Sequence, residues 1–243
     1  MKYLFFTLLF ISSVFCFGQK KQINKDLEIE KLTDKIYFYT SWSDIGEWGR
    51  VGSNGIVIID NGKALLCDTP ADVQQTKDLF EYVTHSLNAR ISLFVPNHWH
   101  GDCVAGLEYL NEQGVESYAN KMTNDILESK SLPVAKHSFT DSLFLNLEQI
   151  PVECYYLGGG HATDNIVVWL PSEKILFGGC MVKDMSSTVM GNTSDAAPLP
   201  EWLSTIETVE TKFPDARIVI PGHGQYGDRK LLDHTKELIR RNL

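Results

Sequence analysis

The chain has 243 residues and a formal net charge of −9, with 22 Lys and Arg residues against 31 Asp and Glu residues. This length fits one sizeable α/β domain or two half-domains that share a core. The acidic balance argues against nucleic acid and anionic membrane surfaces as partners. No low-complexity tract, block of like charge or linker rich in Pro, Gly or Ser divides the chain.

Residues 1–18 are predicted to form a signal peptide. Lys2 supplies the positive charge, residues 4–15 form the apolar segment, and the small residue Gly18 precedes the predicted cut. The apolar segment is short for a membrane span, so a retained anchor is the less favoured alternative. We therefore expect an exported protein, periplasmic in a bacterium, whose mature domain comprises residues 19–243 and no longer contacts the membrane.

The first half of that domain begins with a predicted group of strands. Apolar runs lie within 27–40 and 55–68, and the Asp-Asn-Gly-Lys step at 60–63 predicts a tight hairpin. Between these runs, segment 42–49 contains two tryptophans and two glycines. It is predicted to be either a flap over a site or a packed loop tip.

A helix is predicted to follow the hairpin, with Thr69 as its N-cap and Pro70 as its first residue. The next apolar run, 91–95, predicts a buried strand that Pro96 ends. A helix, a strand near 115–118 and a helix over about 120–129 complete this half.

The second half repeats this order of strands followed by helices and strands. The predicted elements are strands at 143–145, 152–157, 166–170 and 174–177, a helix at 200–213, a strand at 217–220 and a helix at 228–241. This order predicts an α/β fold in which two mixed β-sheets pack face to face with helices on their outer faces, an αβ/βα sandwich.

Three potential metal ligands lie within five residues directly after strand 91–95. His98 and His100 are two positions apart, so in an extended segment their side chains point the same way. Asp102 follows in the same phase. Imidazole with an added carboxylate favours zinc. A polar loop with solvated histidines is the alternative for this segment by itself.

Similar residues follow three further apolar runs, each beside glycine. They are His161 after Gly158–Gly160, Cys180 after Gly178 and Gly179, and His223 between Gly222 and Gly224. Sites in α/β proteins gather beyond strand ends, and glycine allows the backbone to pack closely there. The four loops together predict a metal site.

This set of motifs resembles the metallo-β-lactamase superfamily, and most closely its class B di-zinc β-lactamases with a cysteine at the second metal site. The resemblance extends over essentially the whole mature chain. It implies a first zinc ion held by His98, His100 and His161, and a second held by Asp102, Cys180 and His223. The implied activity is hydrolysis of the amide bond of penicillins, cephalosporins and carbapenems by a metal-bound hydroxide, without a covalent intermediate, conferring antibiotic resistance.

The resemblance also implies roles for residues outside the ligand sets. Lys183 matches the lysine that binds the substrate carboxylate, and Asn192 matches the asparagine that contacts the lactam carbonyl. Asp102 would also orient the nucleophile or assist proton transfer. Cys103 either tunes the second zinc or is a bystander thiol. The expected protein is a monomer with a small-molecule β-lactam substrate.

Two other functions compete with this interpretation. A superfamily hydrolase of thioesters or lactones would typically carry a histidine after the loop aspartate and an aspartate as the bridging ligand, where this chain has Cys103 and Cys180. A zinc-binding protein without activity would close its site with a fourth ligand, for which the sequence offers no clear candidate. For the mature chain's four cysteines, wide spacing favours free thiols over disulfides.

Overall fold

The computed structural model describes residues 20–243, so the predicted signal peptide lies outside the described residues. Within the described part, no helix combines the length and apolar character that a membrane span requires. Residues 20–243 form two β-sheets and six α-helices.

The first sheet has eight strands that lie side by side in chain order. They are β1 (Lys21–Asn24), β2 (Leu27–Lys31), β3 (Ile36–Asp44), β4 (Arg50–Asp60), β5 (Lys63–Cys67), β6 (Arg90–Val95), β7 (Glu116–Asn120) and β8 (His137–Phe139). Strands β1 to β5 pair antiparallel and β5 to β8 pair parallel, so the sheet is mixed.

The predicted hairpin between β4 and β5 is confirmed. Asn61 and Gly62 both adopt positive φ, 47° and 75°. Positive φ at both central residues is the requirement of the type I′ turn, which Asn-Gly satisfies at low cost. The register of this hairpin pairs Asp60 with Lys63.

The second sheet has five strands and is also mixed. They are β9 (Ser142–Leu147), β10 (Ile150–Tyr155), β11 (Val167–Leu170), β12 (Ile175–Gly179) and β13 (Ile218–Pro221). Strands β9 to β12 pair antiparallel, and β13 lies parallel to β12 at the edge.

Five of the helices connect strands, and the sixth follows the last strand of the described chain. The helices are α1 (Val73–His85), α2 (Gly101–Val104), α3 (Leu107–Glu112), α4 (Lys121–Ser129), α5 (Leu199–Lys212) and α6 (Lys230–Arg241). The prediction that Thr69 caps α1 is wrong. Asp72 is the N-cap and accepts a hydrogen bond from the Gln75 backbone N–H, whereas the Thr69 hydroxyl accepts one from Gly106 N.

Three apolar clusters hold the layers together. The central cluster lies between the sheets and contains Phe38 and Ile56 of the first sheet with Val152 and Phe177 of the second. A second cluster packs α1, α3 and α4 against the first sheet, and a third packs α5 and α6 against the second. The predicted αβ/βα sandwich of two mixed sheets is therefore confirmed.

The four described cysteines are all free and buried, which confirms the prediction of thiols over disulfides. Cys67 and Cys154 belong to the cluster between the sheets, where they pack as small apolar groups. Cys103 and Cys180 instead lie among the predicted metal ligands.

Candidate metal centre

The His98 to Asp102 segment follows the end of β6 and runs into the start of α2. Strand β6 ends at Val95, and the carboxylate of the buried Asp68 accepts a hydrogen bond from the Asn97 backbone N–H. His100 is extended, with φ −65° and ψ 156°, and α2 begins directly after it. The three predicted ligands of this segment therefore project from a turn whose position is fixed.

The first predicted ligand group is assembled in the structure. His98 Nε2 lies 2.9 Å from His100 Nδ1, and His161 Nε2 lies 3.2 Å from the same atom. Ligand nitrogens around a tetrahedral zinc ion are roughly 3.3 Å apart when the Zn–N bonds are about 2.0–2.1 Å. The three ring nitrogens therefore fit one zinc ion.

The second predicted group is also assembled. The thiol of Cys180 lies 3.3 Å from His223 Nε2 and 3.7 Å from Asp102 Oδ2, and the last two atoms are 3.4 Å apart. These separations also fit a tetrahedral zinc ion, for which roughly 3.3–3.6 Å is expected. A Cβ on Gly222 would lie 2.3 Å from the Cys180 sulfur, so glycine is needed there for this approach.

In three of the four imidazoles, the ring nitrogen that faces away from the ligand group contacts another protein group. His98 Nδ1 lies 3.2 Å from the Cys103 sulfur, and His223 Nδ1 lies 2.9 Å from the carbonyl oxygen of Gly52. His100 Nε2 lies 3.3 Å from a carboxylate oxygen of Asp195. Such contacts fix ring orientation and tautomer.

Neither Asp195 nor the Gly52 carbonyl is recognisable from the sequence as a contact of a histidine ligand. Asp195 lies in a polar loop that gives no local signal of a histidine contact, and a backbone carbonyl is invisible to residue type. Cys103 was noticed because it follows Asp102 directly. His161 Nδ1 is buried and has no hydrogen-bond partner among the described residues.

Burial keeps two imidazoles of the first group, those of His98 and His161, neutral. Desolvation lowers the pKa of His98 well below its ordinary value, and nearby cationic groups reinforce the shift. Desolvation likewise lowers the pKa of His161 to about 2, with further lowering by the Lys183 charge. Neutral imidazole is the form that binds a metal, so these two rings present lone pairs at neutral pH.

The second group has the opposite electrostatic character. The contact with Cys103 is the largest influence that lowers the pKa of Cys180 to about 6, and the positive charge of His223 assists it. Burial is the largest single influence on the pKa of His223 and would lower it, but the Cys180 thiolate, Asp102 and the Gly52 carbonyl together outweigh burial and raise the value to about 10. With Asp102, this group therefore concentrates negative ligands, which favour a cation.

Lys183 is buried beside the metal centre. Its Nζ lies 5.4 Å from the centroid of the Trp202 ring, and its backbone N–H donates to the Thr235 hydroxyl. Desolvation lowers its pKa, while Cys180 and Asp102 oppose that shift through their negative charges. The ammonium group is thus held near the ligand groups at a position from which it could attract an anion.

Asn192 is exposed on the loop that precedes α5. Its side-chain oxygen accepts a hydrogen bond from Ser194 N at 3.0 Å, which leaves its NH₂ group as the free donor. Among the described residues, no side-chain hydrogen bond joins Asn192 to either ligand group, although its backbone lies close enough to His161 to influence the pKa of that ring. A cavity of about 620 Å³ borders this loop and is lined by Trp48, Val189 and Met190, and no predicted metal ligand lines it.

The two tryptophans of segment 42–49 differ in their surroundings. Strand β3 continues into this segment and a single 3₁₀ turn, Gly46–Trp48, closes it. Trp48 is 53% exposed at the tip, whereas Trp42 is half-buried. The segment is therefore an extended hairpin end with one exposed aromatic ring beside the cavity.

No family model matches the chain. A protein of Bacteroides fragilis named metallo-beta-lactamase type 2 is 52% identical over 240 residues, covering 98% of this chain and 96% of the relative. The chain belongs to the metallo-β-lactamase family.

Solved structures of metallo-β-lactamases agree with this assignment. The DIM-1 enzyme, studied after exposure to ceftazidime, has a TM-score of 0.85 and 38% identity, covering 90% of this chain and 98% of its own. The FIM-1 enzyme of Pseudomonas aeruginosa in its mono-zinc form has a TM-score of 0.81 and 31% identity, covering 91% and 99%. This metallo-β-lactamase is therefore a metal-dependent hydrolase.

Proposed function

We propose that this metallo-β-lactamase binds two zinc ions and hydrolyses the amide bond of penicillins, cephalosporins and carbapenems. The observation that carries the proposal is the presence of two adjacent ligand groups of different composition. One consists of three imidazoles, and the other combines a carboxylate, a thiol and an imidazole. Both are ligand types that zinc prefers.

The first group is suited to catalysis because it supplies three ligands. Structural zinc sites are closed by four protein ligands, whereas catalytic sites keep one position open. Zinc bound there would lower the pKa of water from about 15.7 to about 7 and polarise a carbonyl group. Among the described residues, His98, His100 and His161 form this group with no fourth member, which argues against a storage or structural role.

The protein groups around the two metal positions have complementary tasks in the proposed reaction. Asp102 would orient the attacking water and assist proton transfer to the leaving nitrogen. Lys183 would attract the carboxylate that bicyclic β-lactams carry, because its ammonium group is buried close to the centre. The free NH₂ of Asn192 would donate to the lactam carbonyl as negative charge develops there.

No serine nucleophile is needed in this scheme, so no acyl-enzyme forms. Resistance to the antibiotics follows if the enzyme acts where they enter the cell. We propose export to the periplasm, on the basis of the signal-peptide pattern in residues 1–18. We further propose a monomer, since every predicted ligand comes from the one chain.

The proposal is tested by the loss of carbapenem absorbance with purified protein. We expect rapid loss with zinc-replete protein, no loss after removal of zinc by a chelator, and recovery on zinc addition. A parallel assay with a thioester and a lactone as substrates tests the alternative that the protein is a hydrolase of thioesters or lactones. Stable carbapenem with rapid thioester turnover would reject the lactam proposal, and two zinc ions without any turnover would support a binding protein.

A further inference from the structure

Three buried asparagines lie directly behind the metal centre. Asn97 and Asn165 are fully buried, and Asn54 is 2% exposed. A buried amide is costly unless its donors and acceptors are satisfied. The hydrogen-bond partners of these three side chains therefore indicate what the buried amides do.

Asn97 and Asn165 join the two loops that carry the first ligand group. The Asn165 NH₂ group donates to Asn97 Oδ1 at 2.9 Å, and the Asn97 NH₂ group donates to the Ile166 carbonyl. The Ile166 backbone N–H returns a bond to the Asn97 carbonyl at 2.9 Å. Asn97 precedes His98 directly, so these bonds connect the His98 loop to the loop of His161.

Asn165 also closes the His161 loop on itself. Its Oδ1 accepts a hydrogen bond from the Ala162 backbone N–H at 2.6 Å, one residue after His161. One side chain thus fixes the position of His161 relative to His98 through two bonds in opposite directions. We call Asn97 and Asn165 together the first clamp.

Asn54 performs the corresponding task for the second ligand group. Its NH₂ group donates to the carbonyls of Pro221 and Gly224, each at 2.9 Å, and these residues flank the His223 loop. Its backbone N–H donates to Gly222 O at 2.8 Å, and its Oδ1 accepts from the Thr40 hydroxyl at 2.9 Å. We call Asn54 the second clamp.

The two clamps have no hydrogen bond in common. The first joins the segment after β6 to the segment before β11, and the second joins β4 to the last residue of β13 and the segment after it. Asn97 does touch the neighbourhood of the second group, because a Cβ on Gly179 would lie 2.3 Å from its Cγ. Asn165 is therefore the better probe of the first clamp.

We propose that these asparagines are positioning residues that set the affinities of the two metal sites separately, Asn165 for the first and Asn54 for the second. The proposal rests on the two ligand sets of the proposed function. Groups that orient metal ligands typically change metal affinity by about 10–100-fold when they are removed. Loss of one clamp should therefore weaken one site and leave the other near its original affinity.

The test is a cobalt titration of the metal-free mature protein, residues 19–243, and its variants. Only the second predicted site contains a thiolate, so the intensity of the sulfur-to-cobalt charge-transfer band measures cobalt bound at that site. Total bound cobalt minus the cobalt counted by this band gives the amount bound at the first site. We expect Asn165→Ala to weaken the first site by roughly 10–100-fold with an unchanged thiolate band. Asn54→Ala should weaken the thiolate-reporting site to a similar extent and spare the other.

Asn124→Ala is the matched control. Asn124 also bridges a loop through its side-chain amide, exchanging hydrogen bonds with the backbone of Ala135, but it contacts no predicted ligand. Both metal affinities should stay unchanged in this variant. Far-UV circular dichroism of the metal-free proteins verifies that each variant is folded.

Isosteric variants provide the same test if an alanine variant does not fold. Asn165→Asp keeps the acceptor for Ala162 N and loses the donor to Asn97, and Asn54→Asp loses both donors to the His223 loop. Equal weakening of both sites by either folded variant, or no weakening by any, would overturn the proposal. Failure of the unmodified chain to bind two cobalt ions would instead reject the proposed ligand sets.

Discussion

Cys180 is the residue that most clearly separates the chemistry of the two ligand groups. We expect Cys180→Ser to lose most of the second zinc ion at limiting zinc and to lower turnover, because a hydroxyl is a poor substitute for a thiolate ligand. Metal content and rate of hydrolysis measure the two effects. Cys154→Ser is the matched control, since burial raises the pKa of Cys154 to about 12 and keeps it an inert thiol. Two tightly bound zinc ions in Cys180→Ser would remove this residue from the site.

The pH dependence of the second site should be governed by His223. In the metal-free chain its pKa is raised to about 10, so it is protonated at pH 7 and must release that proton to bind zinc. The Cys180 thiol, with a pKa of about 6, is already mostly ionised there. We expect release of about one proton per second zinc ion at pH 7–9, and hence roughly tenfold weaker binding for each unit that the pH falls.

Below pH 6 the dependence should steepen, because the thiolate of Cys180 then also takes up a proton. At the first site, His98 and His161 have lowered pKa values and contribute no proton near pH 7. Calorimetric zinc titration in buffers of different ionisation enthalpy measures the protons released. Binding of the second zinc ion without proton release at pH 7 would show that His223 is neutral before it binds.

Lys183 should affect substrate binding more than metal binding. A hydrogen bond to a charged group contributes about 1.5–3 kcal/mol, so Lys183→Met should raise KM for a carboxylate-bearing lactam by roughly 10–100-fold. Methionine keeps most of the buried volume beside Trp202. Lys230→Met, at a side chain that is 79% exposed, is the control. Unchanged KM and kcat in Lys183→Met would place the carboxylate anchor elsewhere.

At the scale of elements, helix α1 shows how a local signal can be overridden by tertiary contacts. The Thr-Pro sequence at 69–70 is typical of a helix start, yet the Thr69 hydroxyl binds Gly106 N and its backbone N–H binds the Cys103 carbonyl. Asp68 adopts φ 62°, which turns the chain toward the metal centre before the helix can begin. Asp72 becomes the cap because it is the next acceptor along the chain.

This cap gives a prediction about stability. Asp72→Ala should lower the free energy of unfolding by about 0.5–2 kcal/mol, because the Gln75 N–H loses its acceptor. Asp72→Asn retains a side-chain oxygen and should lose much less. Denaturant unfolding at fixed zinc concentration measures both. Equal stability of all three proteins would mean that the cap contributes nothing, and a changed zinc content would point to an effect on the site.

The strands and helices with strong apolar patterns were predicted close to their observed positions, whereas two edge elements were missed. Strand β1 is polar and largely exposed, and β8 has only three residues. Neither carries the alternation from which a half-buried strand is recognised. The helix predicted after the histidine loop is divided into α2 and α3, because α2 ends with Ala105 as its C-cap and α3 begins with Gly106 as its N-cap.

At the scale of the whole molecule, the residues that the structure brings together in the two predicted ligand groups were recognisable from the sequence, and the residues that support them were not. The ligands follow strand ends and carry recognisable spacing. Their supports come from far along the chain: Asn54 holds residues near 222, and Asp195 reaches His100. Such pairs have no signature in a single sequence, because an asparagine or aspartate in a loop has many possible tasks.

The most direct measurement is a crystal structure of zinc-loaded protein with anomalous data at the zinc edge. We expect two zinc ions in one pocket, the first within bonding distance of His98, His100 and His161, and the second within bonding distance of Asp102, Cys180 and His223. Zinc bound elsewhere on the chain, or a pocket in which Cys103 replaces Cys180 as the ligand, would contradict it.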